Sequence, residues 1–284
     1  MKILVTGATG FIGNYVVEEL LRNNCEVIVT SANEEKAGSA GWFSKVNYIP
    51  FDLKGMDSSI NYFTFFNEPD KLIHLAWEGL PNYKASFHLE ENLPRHKSFL
   101  NNLIGNGLKD LTVTGTCFEY GMKEGCLDEE METHPANAYA IAKDSLRKWL
   151  QQPGMGKALQ FRWLRLFYMY GRGQSPNSLF SQLDKALQSG DEFFNMSGGE
   201  QERDYLPVEK VAAYIVKTAM QDEVTGIINI CSGKPVTVKQ MVENYLKQRN
   251  VAIALNLGYY PYSDYEPMRF WGDNSRLKSI LNQV

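Results

Sequence analysis

The chain has 284 residues, which is enough for one or two domains whose core needs neither a disulfide nor a metal. Apolar residues make up 44% of it and charged residues 22%, which excludes a disordered or collagen-like chain. With 29 Lys and Arg against 33 Asp and Glu, the net charge of −4 gives no electrostatic attraction to nucleic acid or to an anionic membrane. No run of 18 apolar residues predicts a membrane span. The first residues enter a strand pattern without a signal peptide, and the four cysteines show no metal-ligand spacing. We therefore expect a cytoplasmic protein with reduced thiols.

Short apolar runs alternate with helical patterns over the first two-thirds of the chain. The predicted strands cover residues 3–6, 26–30, 46–49, 72–76, 111–114 and 161–167. The predicted helices between them cover residues 12–23, 57–66, 88–105 and 138–151. This alternation predicts an α/β fold with a Rossmann-like, doubly wound parallel sheet.

The pattern changes after Gly171, where a loop precedes helices near residues 177–189 and 208–221. A strand at 227–230 is expected to return to the first domain, and the tail from Pro235 holds a helix with Thr237 near its start, a strand, an aromatic loop and a short final helix. We predict a Rossmann domain and a smaller, discontinuous C-terminal substrate lobe, with the ligand site in the cleft between them. The predicted Rossmann domain covers residues 1–170 with a return segment at about 205–231, and the predicted lobe covers residues 171–204 and 232–284.

The glycine-rich turn at residues 6–13 follows the first predicted strand and opens the first predicted helix. Its first glycine permits a tight turn, its second lets backbone amides approach a pyrophosphate, and its third lets the helix lie close to the strand. The helix N-terminus adds partial positive charge. The turn predicts dinucleotide binding by Gly7, Thr9, Gly10, Phe11, Ile12 and Gly13.

The end of the second predicted strand bears on the choice of cofactor. An NAD site usually has an acidic side chain there to bind the ribose 2′-hydroxyl, but this chain has Ser31 and Asn33. With Lys36 close behind, the sequence favours NADP(H), and NAD(H) is the alternative if Lys36 points to solvent.

Three residues form a candidate catalytic group. Tyr139 and Lys143 are spaced i and i+4, so they share one face of a predicted helix, where an ammonium would favour the phenolate and tune it for proton transfer. Thr116 follows a predicted strand at its carboxyl end, where open α/β sheets place their chemistry.

Together these residues resemble the extended short-chain dehydrogenase/reductases, the NAD(P)-dependent epimerase/dehydratase family that acts on nucleotide sugars. The resemblance covers nearly the whole chain. Within the family, the chain is most similar to a subgroup of nucleotide-sugar 4-keto reductases. The motifs that carry it are Gly7-x-x-Gly10-x-x-Gly13, Asp52-Leu53, His74-Leu75-Ala76, Thr116 five residues before Gly121, Tyr139-x-x-x-Lys143, and residues 164–167, 203–208 and 226–230.

The resemblance implies a role for each matching residue. Thr116, Tyr139 and Lys143 would be the catalytic residues. The implied cofactor contacts beyond the glycine-rich turn and the second strand are Asp52, Leu53, Leu75, Ala76, Trp77, Thr114, Tyr139, Lys143 and Phe167. The implied substrate contacts are Thr116, Cys117, Phe118, Tyr139, Tyr168, Arg203 and Arg269, with the two arginines on a diphosphate.

The chain departs from the family pattern at positions that narrow the reaction. Tyr168 stands where many members have asparagine, and Cys117-Phe118 replaces the Asp-Glu pair of the dehydratases, which makes dehydration unexpected. We expect NADPH-dependent reduction of the 4-keto group of a nucleotide-activated 6-deoxyhexose, a dTDP sugar for surface polysaccharide, by a homodimer that pairs through residues 88–105 and 138–151. The alternatives are a nucleotide-sugar 4-epimerase with tightly bound NAD and a non-catalytic, NADP-binding redox sensor.

Overall fold

The structure is a computed structural model that describes residues 1–155 and 159–282. The strands are β1 (Lys2–Thr6), β2 (Glu26–Thr30), β3 (Asn47–Tyr48), β4 (Lys71–His74), β5 (Asp110–Thr116), β6 (Gly125–Leu127), β7 (Gln160–Leu166), β8 (Tyr168–Tyr170), β9 (Phe193–Asn195), β10 (Glu202–Pro207), β11 (Gly226–Ile230), β12 (Pro235–Thr237), β13 (Ala254–Asn256) and β14 (Phe270–Gly272). The helices are α1 (Phe11–Arg22), α2 (Glu34–Gly38), α3 (Tyr62–Phe65), α4 (Leu93–Gly105), α5 (Ala138–Leu150), α6 (Leu179–Ser189), α7 (Val208–Met220), α8 (Val238–Arg249) and α9 (Ser275–Leu281).

Seven strands form one parallel sheet in the order β11-β7-β5-β4-β1-β2-β3. The strand order reverses between β1 and β4, and the register pairs Thr6 with Thr30 on one side and with His74 on the other. The carboxyl ends of these strands therefore meet at one edge, where doubly wound sheets bind ligands. The predicted Rossmann-like fold is confirmed, and β11 joins this sheet as expected.

Helices cover both faces of the sheet. Because consecutive side chains of a strand point to opposite faces, each central strand contributes to two cores. In β1, Ile3 and Val5 pack into a core with α1, α7 and α9, whereas Leu4 belongs to the core on the α3, α4 and α5 side. The central strands can therefore be continuously apolar, which is the pattern that predicted them.

Smaller sheets and a separate core follow in the second half of the chain. β12, β10 and β8 form a three-stranded sheet, and β13 pairs with β9 and β14 with β6. Residues of α6 and α8, including Leu183 and Val242, form a hydrophobic cluster apart from the two faces of the large sheet. Thr237 begins α8 by accepting a hydrogen bond from the Gln240 N–H, as its position predicted. The boundaries given above for the two domains stay a prediction.

Two predicted helices differ from the observed ones because of local polar or backbone chemistry. The helix predicted over residues 57–66 shrinks to α3, since Asp57 accepts hydrogen bonds from Ser59 and Asn61 caps the helix by accepting from Thr64. The helix predicted over 88–105 starts with a π-helical turn at His88–Asn92, and α4 begins only at Leu93, next to Pro94. Throughout residues 1–155 and 159–282, each helix is too short or too polar to cross a bilayer.

Candidate functional site

A cavity of about 250 Å³ opens at the carboxyl edge of the large sheet. It lies at the reversal of strand order between β1 and β4, the expected place for a dinucleotide. Its lining residues are Thr6, Gly7, Thr9, Gly10, Thr30, Ser31, Ala32, Asn33, Phe51, Asp52, Leu53, Leu75, Ala76, Trp77, Glu78, Asn92, Arg95 and His96.

The glycine-rich turn approaches its neighbours so closely that side chains are excluded. Gly7 has a φ of +71°, and a Cβ there would lie 2.8 Å from the backbone of Ala76. A Cβ on Gly13 would overlap the Gly7 carbonyl, so α1 could not lie as close to β1. No side chain caps α1, whereas Asn137 caps α5 and Ser178 caps α6. The N–H groups that begin α1 therefore suit an anion such as a pyrophosphate.

Most of the predicted cofactor residues line this cavity, and the structure puts others elsewhere. Ile12 and Phe167 line a second cavity described below. Thr114 is buried on β5 against the His74 carbonyl, and Phe11, Gly13 and the Lys36 side chain do not line either cavity.

Eight lining residues were not among the predicted cofactor contacts: Thr6, Thr30, Ala32, Phe51, Glu78, Asn92, Arg95 and His96. The last three have spacings of three and four residues, so they project from one side of α4 and the turn before it. That spacing was a usable signal once the helix was assigned, but the sequence does not say that this side faces the strand ends.

The end of β2 is polar and uncharged. The Ser31 hydroxyl donates to the Asn33 carbonyl at 3.3 Å, and Asn33 Oδ1 caps α2 by accepting from the Lys36 N–H at 2.7 Å. The carboxylates that line the cavity, Asp52 and Glu78, come from other strand ends. This part of the cavity therefore carries no charge that would repel a 2′-phosphate.

A second cavity of about 220 Å³ contains two of the three predicted catalytic residues, Thr116 and Tyr139. Its neighbour is the first cavity, since Trp77 lines the first cavity, Tyr139 lines the second, and the centroids of their rings are 6.0 Å apart. The remaining lining residues are Ile12, Leu80, Tyr83, Gly115, Cys117, Phe118, Leu166, Phe167, Tyr168, Met169 and Gln174.

The Tyr139 phenol is buried, and its environment favours the protonated form. Burial raises its pKa well above that of a free tyrosine, and a hydrogen bond with Thr116 only partly opposes this. The Thr116 oxygen accepts from the Phe118 N–H at 3.2 Å, so its own proton stays available for donation. In the protein alone this environment favours the protonated phenol, and the tuning of Tyr139 by Lys143 stays a prediction.

A buried carboxylate anchors the Thr116 backbone. Glu119 Oε1 accepts from the Thr116 N–H at 2.9 Å, and the same carboxylate accepts from the Trp163 indole and from Arg165 Nε. With Arg147 Nε at 3.7 Å, two guanidinium groups compensate this fully buried charge. Sequence reasoning gave Glu119 no role, because its partners come from β7 and α5.

Lys143 lies one turn after Tyr139 on α5 and is only 2% exposed. Desolvation lowers the pKa of its ammonium to about 7, although the Glu119 carboxylate opposes the shift. Its Nζ is 4.4 Å from the centre of the Trp77 ring.

Two buried histidines connect the end of β1 with α4. His74 Nδ1 is 2.7 Å from the Thr6 hydroxyl, and His74 Nε2 is 2.7 Å from His96 Nδ1. Burial lowers the pKa of His74 to about 3 and that of His96 well below its usual value, so both rings are neutral.

The two arginines predicted on a diphosphate are paired with carboxylates of the chain itself. Arg203 is 3% exposed and donates to Glu266 at 3.0 Å, while its guanidinium lies 4.6 Å above the Phe270 ring. Arg269 is exposed and donates to Glu202 at 2.6 Å. Neither arginine lines either cavity, although Tyr168, whose ring is 5.7 Å from Arg203, does.

The profile of the NAD dependent epimerase/dehydratase family matches residues 3–231. A relative from Aggregatibacter actinomycetemcomitans, dTDP-6-deoxy-L-talose 4-dehydrogenase (NAD(+)), is 31% identical over 273 residues, which cover 96% of this chain and 99% of the relative. GDP-6-deoxy-D-talose 4-dehydrogenase of the same organism is 25% identical over 289 residues, covering 99% of this chain and 91% of the relative.

Solved structures share the fold. The UDP-glucuronic acid 4-epimerase from Bacillus cereus, in complex with UDP-glucuronic acid and NAD, superimposes with a TM-score of 0.84 at 22% identity, covering 100% of this chain and 94% of that one. Since the family profile spans most of the chain and a full-length relative exceeds 30% identity, the chain belongs to the NAD dependent epimerase/dehydratase family, the extended short-chain dehydrogenase/reductases, and is an oxidoreductase.

Proposed function

We propose that the protein catalyses NADPH-dependent reduction of the 4-keto group of a nucleotide-activated 6-deoxyhexose, with a dTDP sugar as the preferred substrate, for surface polysaccharide biosynthesis. The observation that carries the proposal is one cavity holding Thr116 and a protonated Tyr139, next to a second cavity suited to a dinucleotide. The names of two relatives, both 4-dehydrogenases of 6-deoxytalose nucleotides, support the choice of carbon 4 and of a deoxyhexose.

The residues divide the work of reduction. When bound, the reduced nicotinamide supplies the hydride. The Tyr139 phenol gives its proton to the former keto oxygen, and the Thr116 hydroxyl donates a hydrogen bond to the same oxygen. The Lys143 ammonium binds the nicotinamide ribose and favours the phenolate that remains after proton transfer. The substrate cavity is lined by Cys117, Phe118, Phe167 and Tyr168.

We propose NADP(H) as the preferred cofactor, held by the glycine-rich turn, Asp52, Leu53 and residues 75–77. The uncharged end of β2 at Ser31 and Asn33 supports this choice, whereas the NAD(+) in one relative's name supports NAD(H) as the alternative. Titration of the protein with NADPH and NADH decides between them, and tighter NADH binding contradicts the proposal. If Lys36 meets the 2′-phosphate, Lys36→Ala weakens NADPH more than NADH.

We propose that Arg203, with Arg269, grips the substrate diphosphate. In the protein alone, Arg203 is paired with Glu266 and Arg269 with Glu202. When the nucleotide sugar binds, its phosphates would replace these carboxylates as acceptors for the same guanidinium groups. Arg203 is well placed for this exchange because its pair with Glu266 adjoins Tyr168, a residue of the catalytic cavity.

A 4-epimerase with tightly bound NAD is the second candidate, favoured by solved neighbours that carry that name. The two reactions differ in cofactor balance: a reductase consumes one NADPH for each product, whereas an epimerase shows no net absorbance change. The deciding experiment follows absorbance with NADPH and a panel of 4-keto nucleotide sugars. Inversion of a 4-hydroxy sugar nucleotide without added NADPH would overturn the reductase proposal.

We propose that two subunits form a homodimer through the region of α4 and α5, which lie side by side in each chain. We also propose that the protein is cytoplasmic. Its four cysteines are all free thiols, which agrees with a reducing compartment. Sedimentation at micromolar concentration tests the pairing, and a monomer alone would contradict it.

A further inference from the structure

The Lys143 ammonium lies between two indole rings. Its Nζ is 4.4 Å from the centre of the Trp77 ring and 5.6 Å from that of Trp163. Over residues 1–155 and 159–282 no carboxylate forms an ion pair with it, and Glu119, the nearest buried acid to influence it, is bound to Trp163, Arg165 and Thr116 instead. The two indole faces therefore present negative potential to this buried charge.

Each indole is fixed by its own N–H group. Trp77 Nε1 donates to His88 Nδ1 at 3.0 Å, so His88 must carry its proton on Nε2, which donates to the Asn82 carbonyl at 3.1 Å. The Trp77 ring also stacks on His96, with centroids 4.5 Å apart and an interplanar angle of 13°. These contacts hold the Trp77 ring in one orientation.

Trp163 is held in the same manner on the other side, since its Nε1 donates to both oxygens of Glu119, at 2.9 and 3.1 Å. Because Glu119 also binds the Thr116 N–H, this indole connects the ammonium with the backbone of the proposed substrate-binding threonine.

The two indoles stabilise the positive charge of the buried Lys143 ammonium. Burial penalises the ammonium, and a neutral amine could neither favour the Tyr139 phenolate nor donate three hydrogen bonds. A desolvated cation is attracted to an aromatic face more strongly than an exposed one, and tryptophan has the strongest face. Trp77 is the more informative residue, since it also touches Tyr139 and lines the cofactor cavity.

We propose that Trp77 is a positioning residue for the reaction, whose indole face keeps the Lys143 ammonium charged and in place, with Trp163 as the second wall. This inference rests on the role given to Lys143 under the proposed function. The other titratable groups around the ammonium are Glu119, His74, His88, His96 and Tyr139.

The pH dependence of kcat tests the inference. Burial raises the pKa of Tyr139 and lowers that of Lys143 to about 7, so we expect the loss of rate on the alkaline side to report the Lys143 ammonium. Trp77→Leu should move this alkaline limb down by about one pH unit, and Trp77→Phe, which keeps a weaker aromatic face, by less. KM for the nucleotide sugar should stay near the wild-type value.

Another lysine–indole pair, between α4 and α5, provides a matched control. Lys97 lies over Trp149 at 5.9 Å, outside both cavities, so Trp149→Leu removes an indole from a lysine without touching the site. It should leave the pH profile of kcat unchanged. A Trp77→Leu enzyme that loses rate equally at every pH would show a merely structural role and overturn the inference.

A second measurement does not depend on activity. The 13C resonance of the Lys143 ε-methylene, identified by its absence in Lys143→Met, reports the ammonium directly in the protein without ligands. We expect its titration midpoint to fall in Trp77→Leu, or in Trp77→Phe if the leucine variant does not fold. A shifted midpoint in a protein inactive on every 4-keto sugar would refute the proposed function alone, whereas an unshifted midpoint refutes the role of Trp77.

Discussion

At the scale of single residues, a variant that lacks the phenolic proton of Tyr139 distinguishes an effect on cofactor binding from an effect on catalysis. Tyr139→Phe removes the proton donor but keeps the ring against Trp77 and Tyr83. We expect kcat to fall about 10²–10⁴-fold while the affinity for NADPH stays near wild type. Steady-state kinetics and cofactor fluorescence measure the two quantities. Retention of nearly the full rate would remove Tyr139 from the reaction.

The buried pair of Arg203 and Glu266 leads to a prediction about substrate binding. Arg203→Ala should raise KM about 10–100-fold, because a charged hydrogen bond to phosphate contributes about 1.5–3 kcal/mol, and should change kcat less. The measurement is the dependence of the initial rate on nucleotide-sugar concentration.

Glu266→Gln is the matched opposite of that change. It removes the charge that competes for Arg203 but keeps the shape of the side chain, so KM should fall rather than rise. Folded variants with an unchanged KM in both cases would show that other residues hold the diphosphate.

At the scale of secondary-structure elements, a buried ion-pair network joins β4, β5 and β7 at the end of the sheet opposite the site. Asp110 of β5 binds Lys71 of β4 at 2.8 Å and Arg162 of β7 at 2.8 Å, and all three side chains are nearly inaccessible to solvent. Asp110→Ala should lower the free energy of unfolding by at most about 3–5 kcal/mol, since it leaves Lys71 and Arg162 with only the exposed carboxylate of Asp222. Urea denaturation measures the change.

An exposed ion pair provides the comparison. Glu18→Ala breaks the pair with Arg22 on the surface of α1, where the loss should stay below about 1 kcal/mol. Equal losses in the two variants would mean that the network between the strands contributes no more than a surface pair.

At the scale of the whole molecule, the buried histidines make stability depend on pH. The pKa of His74 is about 3 in the folded state, and that of His96 is also well below the usual value of about 6.5 that holds in the unfolded chain. Between these values the unfolded chain binds more protons, so stability falls as the pH drops below about 6.5 and is unaffected by these groups above it. At about pH 5 we expect a loss of about 1–2 kcal/mol per histidine, measured by urea unfolding.

His134 is the control for this prediction, because its side chain is exposed. His134→Gln should leave the acid-induced loss as it is in the wild type. A free energy of unfolding that stays constant between neutral pH and about pH 5 would contradict the neutral, buried state of His74 and His96.

The sequence by itself determined what depends on local chemistry. The spacing of glycines in the first turn, the alternation of apolar runs and the i, i+4 spacing of Tyr139 and Lys143 are set by backbone geometry over a few residues, and the structure has the turn, the parallel sheet and the helix at these places. Their local conformations could therefore be predicted from the sequence directly.

Only the tertiary structure decided which distant groups meet. Trp77 lies over Lys143, Glu266 binds Arg203, and His96 reaches the cofactor cavity because strands far apart in sequence become neighbours in the sheet and bring their loops and helices to one edge. These contacts depend on packing over the whole chain, and no spacing within a segment encodes them. For the same reason the rise in the pKa of Tyr139 could not be derived from its spacing to Lys143: burial causes that rise, and burial is a property of the assembled fold.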